Sequence, residues 1–326
     1  MAAAALLVGP AGPATAEPGD SATDDEGGST SLRKVLDAAN RGFVDARVKL
    51  DNSKRRQLEL GLKLKDLETR HAALSVELGA VTSRAYRYGR LTSASVLLEA
   101  DSPDAFWQRA ALTDQLARLE AKQLRRLRDS RADVTRAKAA IDAEVRTQSK
   151  QLAVMARRKQ DAERALRAAG GGRPSGGYVA PNSPLAKPAP RGSDGSWPRE
   201  SCTIDDPTTS GCVTPRTLHA LNQAKSAGYT RHSYCHRSGG GGEHPKGRAC
   251  DFSAAKGGFK NENATGGDRT YGNNLAGYLV KNANRLGVMY VIWYREIWQP
   301  STGWRSYSGG GGPAATHTNH VHLSMQ

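Results

Sequence analysis

Aromatic side chains make up only 6% of this sequence and hydrophobic ones 38%. That is little for a chain of 326 residues built around one continuous core, and it suits a chain with a large solvated helical part. No apolar run is long enough to span a bilayer. Cysteine is absent from the first 201 residues, and no Cys-x-x-Cys pair occurs anywhere, which disfavours a structural zinc held by thiolates. Acidic residues are also short, 32 against 47 Lys and Arg, leaving a formal charge of +15. Such a charge predicts an anionic partner. No nucleic-acid-binding module is readable, so nucleic acid is not expected, and a wall or membrane surface rich in carboxylate and phosphate fits better. The plain alternative is that scattered basic residues simply solvate long helices.

What is present falls into segments. Residues 1–16 hold a short apolar run ending Ala14-Thr15-Ala16, the pattern of an export signal with its cleavage site. Residues 17–30 are acidic and rich in Gly and Ser, and are expected to be disordered. From 31 to 169 the pattern is helical. Leu60, Leu64, Leu67, His71, Leu74, Leu78 and Val81 alternate spacings of four and three, as a coiled-coil seam does. The rhythm returns at Leu112, Leu116 and Leu119, then at Ile141, Val145, Gln148, Leu152 and Met155. Gly89 can end a first helix, and Ser102-Pro103 supplies a cap and a first-turn proline for the next. The expectation is an antiparallel coiled-coil hairpin, 31–88 against 103–169. Val96, Leu97, Leu98, Phe106 and Trp107 cluster at its turn, either as the cap of the hairpin's own core or as a docking knob for a partner.

This hairpin, with its Leu-Leu-Glu-Ala-x-Ser-x-x-x-Phe turn, resembles the coiled-coil regions of bacterial cell-wall hydrolases and their activators, the Rip-, EnvC- and PcsB-like proteins. The resemblance implies control of a hydrolase and a membrane-protein regulator at the coil turn. Residues 170–196 are rich in Gly, Pro and Ser and read as a flexible to semi-extended linker. A second domain is expected over 197–326.

That domain holds all four cysteines, which in an exported protein read as two disulfides. Three pairings are possible, with Cys202–Cys212 and Cys235–Cys250 favoured. A helix is expected at 214–227 and another at 273–286, with strands at 229–237 and 288–298 and a last strand carrying His320 and His322. Strands and helices mix without βαβ repeats, so the class is α+β with a largely antiparallel sheet. His244 and Asp251 stand seven positions apart around Gly247, and His320 and His322 leave one face of a strand. Two imidazoles and a carboxylate from separate segments suit a zinc ion whose fourth position is left to water.

His-x6-Asp with Gly247 and Ala249 between, answered by His-x-His, is similar to the lysostaphin/D-Ala-D-Ala-peptidase/hedgehog group of zinc peptidases. The region also resembles an uncharacterised secreted domain common in actinobacteria and some fungi. Gly242 stands where the motif usually has serine. The resemblance implies zinc ligands at His244, Asp251 and His322. Some carboxypeptidase members carry a glutamate where this chain has Asn319, whereas members resembling the penicillin-insensitive murein endopeptidase use a His-x-x-His-x-His string, matched here by His317, His320 and His322. The resemblance therefore implies His320 as base, His317 as its partner, and Arg237 as the holder of a substrate carboxylate. The function so implied is a secreted, wall-located zinc peptidase acting on peptidoglycan peptides, with endopeptidase and carboxypeptidase activity both open. The alternative is a non-catalytic wall-binding or hydrolase-activating protein.

Overall fold

The computed structural model describes residues 30–88, 91–239, 242–308 and 310–326. The expected leader at 1–16, all but Thr30 of the acidic stretch, and the helix-ending Gly89 lie outside them. Helix α1 spans Thr30–Tyr88, α2 Leu91–Leu98 and α3 Pro103–Ala168. At the start of α3, Ser102 caps as expected, its Oγ accepting from Ala105 N at 3.1 Å. Contacts divide the chain into two units, Lys49–Lys150 and a second made of the hairpin's two ends, Met1–Val48 and Gln151–Gln326.

In the first unit α1 and α3 run antiparallel, joined by Arg56–Glu144 at 2.9 Å, Lys138–Glu68 at 2.9 Å and a Gln123–Glu77 bond at 3.1 Å. The α1 residues expected in the seam are the sheltered ones, with Leu78 the deepest. On α3 the expectation holds only in part. Ile141 and Gln148 are half-buried, but Leu112, Leu116, Leu119 and Val145 are exposed. The inner row of α3 instead runs through Leu127, Val134 and Ala137 to Ile141. Followed back at helical spacing, that row passes beside the Leu112–Leu119 row and leaves it at the edge. At the turn, Val96, Leu98, Phe106 and Trp107 are exposed and Leu97 is half-buried. No described helix is long and apolar enough to cross a membrane.

The second unit is an α+β domain. Strands β1 (Ile204–Asp205) and β2 (Cys212–Val213) form a small ribbon, followed by α4 (Pro215–Ser226), β3 (Ser233–Tyr234) and β4 (Ala249–Ser253). After α5 (Gly266–Lys281) and α6 (Ala283–Leu286) come β5 (Val288–Trp293), β6 (Glu296–Gln299), β7 (Gly303–Ser306) and β8 (His320–Met325). The main sheet is antiparallel, in the order β3-β4-β8-β5-β6-β7.

The expected single strand at 288–298 is a hairpin. Its two-residue turn, Tyr294-Arg295, has both residues at positive φ (49° and 65°), the form that matches strand twist but that L-residues resist. The neighbouring segment holds it there: Tyr294 N donates to His317 O at 2.8 Å and Arg295 N to Thr316 O at 3.2 Å.

The sheet has two different faces. Cys250, Phe252, Val291, Trp293, Val321 and Leu323 turn one way and pack on α4 and α5 through Leu221, Leu275 and Leu279. The opposite face carries Asp251, His320, His322, Tyr290, Ile292 and Ile297. It is covered by the hairpin's ends, through Leu32, Leu36 and Ala39 of α1 and Ala162 and Leu166 of α3. The stretch 170–196 runs along the domain. It forms a bridge at Pro174↔Arg305, buries Ala186 and Ala189, and its Ala186 N donates to Asn282 Oδ1 at 2.8 Å.

Candidate metal centre

Asp251 and His322 sit opposite each other on β4 and β8, and His320 lies one pleat further along the same face. His244 arrives from a short 3-10 turn, His244–Lys246, that reverses the chain just before β4. The turn closes on Gly247 at φ +64°, where an added Cβ would come within 2.3 Å of Cys202 Sγ and 2.8 Å of the Cys212 carbonyl. Only glycine fits both the dihedral and the space. Both favoured disulfides are formed. Cys202–Cys212 abuts this glycine, and Cys235–Cys250 ties the strand before the loop to β4. No cysteine is free among the described residues, as suits an extracellular protein.

His244, Asp251 and His322 offer ligand atoms within 4.8 Å of one another, and all three side chains are buried. His322 Nδ1 lies 2.9 Å from Asp251 Oδ1, and His244 Nε2 lies 3.3 Å from both Asp251 Oδ2 and His322 Nδ1. The proton on His244 can be placed. Its Nδ1 meets the Cys235 carbonyl, which only accepts, so Nδ1–H donates there and Nε2 presents a lone pair to the carboxylate. The outer nitrogen of His322 is engaged by Ser324 Oγ at 2.8 Å, leaving Nδ1 to face inward. Asp251 only accepts, so without a cation His322 Nδ1–H donates to its Oδ1; with that proton on Nε2 instead, where Ser324 Oγ can accept it, Nδ1 would present a lone pair beside Asp251 Oδ2, which has no hydrogen-bond partner. This donor set fits a zinc ion, with the Cys235 carbonyl and Ser324 orienting the ligands from outside. Burial pushes the Asp251 carboxyl upward, but facing His244 and His320 pulls it well below the usual carboxylate range.

The other expected residues gather here too. His320 Nε2 is 3.5 Å from Asp251 Oδ1 and has no hydrogen-bond partner. Its orientation is fixed by Asn319, which the sequence marks only as the place of a missing glutamate. Asn319 Nδ2 donates to the Lys260 carbonyl at 2.7 Å, so its Oδ1 must accept from His320 Nδ1–H, also at 2.7 Å. Nε2 is therefore the unprotonated nitrogen. Burial pushes the His320 pKa down to about 4, so the ring is neutral. His317 packs 4.8 Å from the His320 ring at φ +52°, with neither ring nitrogen bonded. Burial, with His320 next in effect, holds it well below the ordinary imidazole value. Arg237 Nη2 lies 3.6 Å from Asp251 Oδ2, at the edge of the same cluster. Tyr290, which no motif indicated, stacks on His322 at 5.6 Å.

Trp298 and Trp304 pair on the other face of the sheet and pack against its core. A second grouping, Cys202, Cys212 and His236, offers no thiolate because both cysteines are in a disulfide.

Among known proteins, no curated protein and no solved structure matches this chain. A family model described as the C-terminal domain of VldE matches residues 209–318, a span that takes in His244, Asp251 and His317 and stops just before His320 and His322.

Proposed function

We propose that this protein is a secreted zinc-dependent peptidase that hydrolyses peptide bonds in peptidoglycan. The observation that carries the reading is the buried convergence of His244 Nε2, Asp251 Oδ2 and His322 Nδ1, three atoms that can each give a lone pair to one cation. His244, Asp251 and His322 would hold the zinc. Such an ion, when bound, supplies a water with a pKa near about 7 and polarises a carbonyl oxygen. The unprotonated Nε2 of His320 would take that water's proton and return it to the departing amine. His317 stays neutral beside it and adds no charge to repel the imidazolium that forms. Arg237 stands where it can meet a substrate carboxylate or the charge developing on the carbonyl oxygen. The resemblance to lysostaphin/D-Ala-D-Ala-type peptidases and the basic charge of +15 favour an anionic wall peptide as substrate.

A second reading, a wall-binding or hydrolase-activating protein without catalysis, is favoured by the complete burial of the histidine cluster. Metal analysis of the purified full chain tests the first reading. One zinc per chain, lost in His322→Ala together with release of new muropeptides from sacculi, supports the peptidase. Binding to sacculi with no zinc and no new product selects the alternative.

A further inference from the structure

The sheet face that bears the proposed zinc site is not open. His244, Asp251, His317, His320 and His322 are each at most 1% exposed. What closes this face is partly the beginning of α1. Leu32, Leu36 and Ala39, at helical spacing, pack with Tyr290, Ile292, Ile297 and Tyr307, while Tyr290 itself stacks on His322 and Tyr307 lies edge-on to His317. The gap left among Arg33, Leu36, Asp37, Tyr290, Ile292, Ile297 and Tyr307 is about 10 Å³, no more than the room one water needs. A polar clasp runs beside this strip. Arg41 Nη2 reaches Glu243 Oε2 at 3.4 Å, and Ser301 Oγ donates to Asn40 Oδ1 at 2.9 Å. Glu243 is the residue next to the ligand His244, so the clasp fastens the helix to the metal loop itself.

We propose that residues 32–41 of α1 are an intramolecular cover, and that a peptide reaches the metal centre only when this segment leaves the sheet. The inference rests on the zinc-peptidase reading for its consequence, though not for its geometry. Three apolar side chains, a partly exposed ion pair and one buried hydrogen bond make a contact that can be released, unlike the α4–α5 side of the sheet, which buries a dozen or so large residues. Lys246 and Arg248 continue to pair Glu243 when Arg41 departs, so opening strands no buried charge.

The test uses the full chain with metal removed by chelator, so that failure to bind zinc, which would sink the peptidase reading, leaves it intact. Accessibility is read as the rate at which diethylpyrocarbonate modifies His320 and His322, by mass spectrometry. Release of the cover is read as amide exchange at 32–41. The double variant Leu36→Asn/Arg41→Glu is expected to expose those amides and to speed modification at least about 10-fold. If it fails to fold, Asn40→Ala, which removes one hydrogen bond and little packing, carries the test with a smaller increase. Unchanged modification in a variant whose 32–41 amides have become exposed overturns the proposal. So does fast modification in the unaltered protein.

Discussion

Asp251 and His322 face each other across adjacent antiparallel strands, Oδ1 to Nδ1 2.9 Å apart, with Arg237 and His244 on the carboxylate's other oxygen. Nothing apolar separates these groups, and the carboxylate itself is fully buried. A buried carboxylate is tolerated only where opposite charge surrounds it. Either protons shared with the histidines or a metal ion must fill that role, and four consequences follow from the way the site is built.

The first concerns acid. His317 and His320 have pKa values depressed by burial, His320 to about 4, whereas in the unfolded chain both titrate near about 6.5. Below that unfolded value the unfolded state binds more protons, so stability falls as the pH drops from roughly 6.5 toward 4. Asp251, with its depressed value, loses its stabilising contribution only at still lower pH. Melting temperatures of metal-free protein are expected to fall continuously through this window. His317→Gln should flatten the decline, and an unaltered profile would count against the burial of His317.

Asn319 acts through His320. Asn319→Ala removes the acceptor that holds His320 Nδ1–H, freeing the ring to rotate. As a positioning residue it should lower kcat about 10- to 100-fold with KM little changed and broaden the acid limb of the pH profile, against about 100-fold or more for His320→Ala. Equal effects on kcat and KM would assign Asn319 a merely structural role.

The Cys235–Cys250 bridge closes a loop of about 15 residues and places the carbonyl that orients His244. Replacing both cysteines with serine should cost about 3 kcal/mol in denaturant unfolding and also weaken zinc binding. Loss of stability with unchanged zinc affinity would show that the carbonyl is held in place without the bridge.

Gly247→Ala places a Cβ against Cys202 Sγ at a left-handed dihedral. A loss of about 2–4 kcal/mol is expected, by urea denaturation, from strain and overpacking together. A change below about 0.5 kcal/mol would mean that the turn adjusts freely.

Much of this was legible in the sequence because periodicity and spacing speak locally. The α1 seam, the Ser102 cap, the Thr214–Pro215 start of α4 and the placement of His320 and His322 on a strand all follow from a few neighbouring residues. The parts that were not legible depend on distant ones. The Tyr294-Arg295 turn carries no glycine or asparagine, and its strained dihedrals are held by backbone bonds to Thr316 and His317. Asn319 looked like a missing glutamate, and only its bond to Lys260 reveals an orienting role. The stretch 170–196 has a linker's composition, yet Asn282, Arg285 and Gln223 hold it along the domain through side chains far off in sequence. Leu32 and Leu36 read simply as coil residues, because no pattern in α1 says that their partners are Tyr290 and Ile292.

The most direct test of the account is native mass spectrometry of the full chain beside Asp251→Asn, an isosteric change that keeps the fold and removes one inward-facing acceptor charge. The account predicts one zinc per chain in the parent protein and at least a roughly 100-fold weaker affinity in the variant. A parent chain that takes up no zinc, or a variant that binds it equally well, would contradict it.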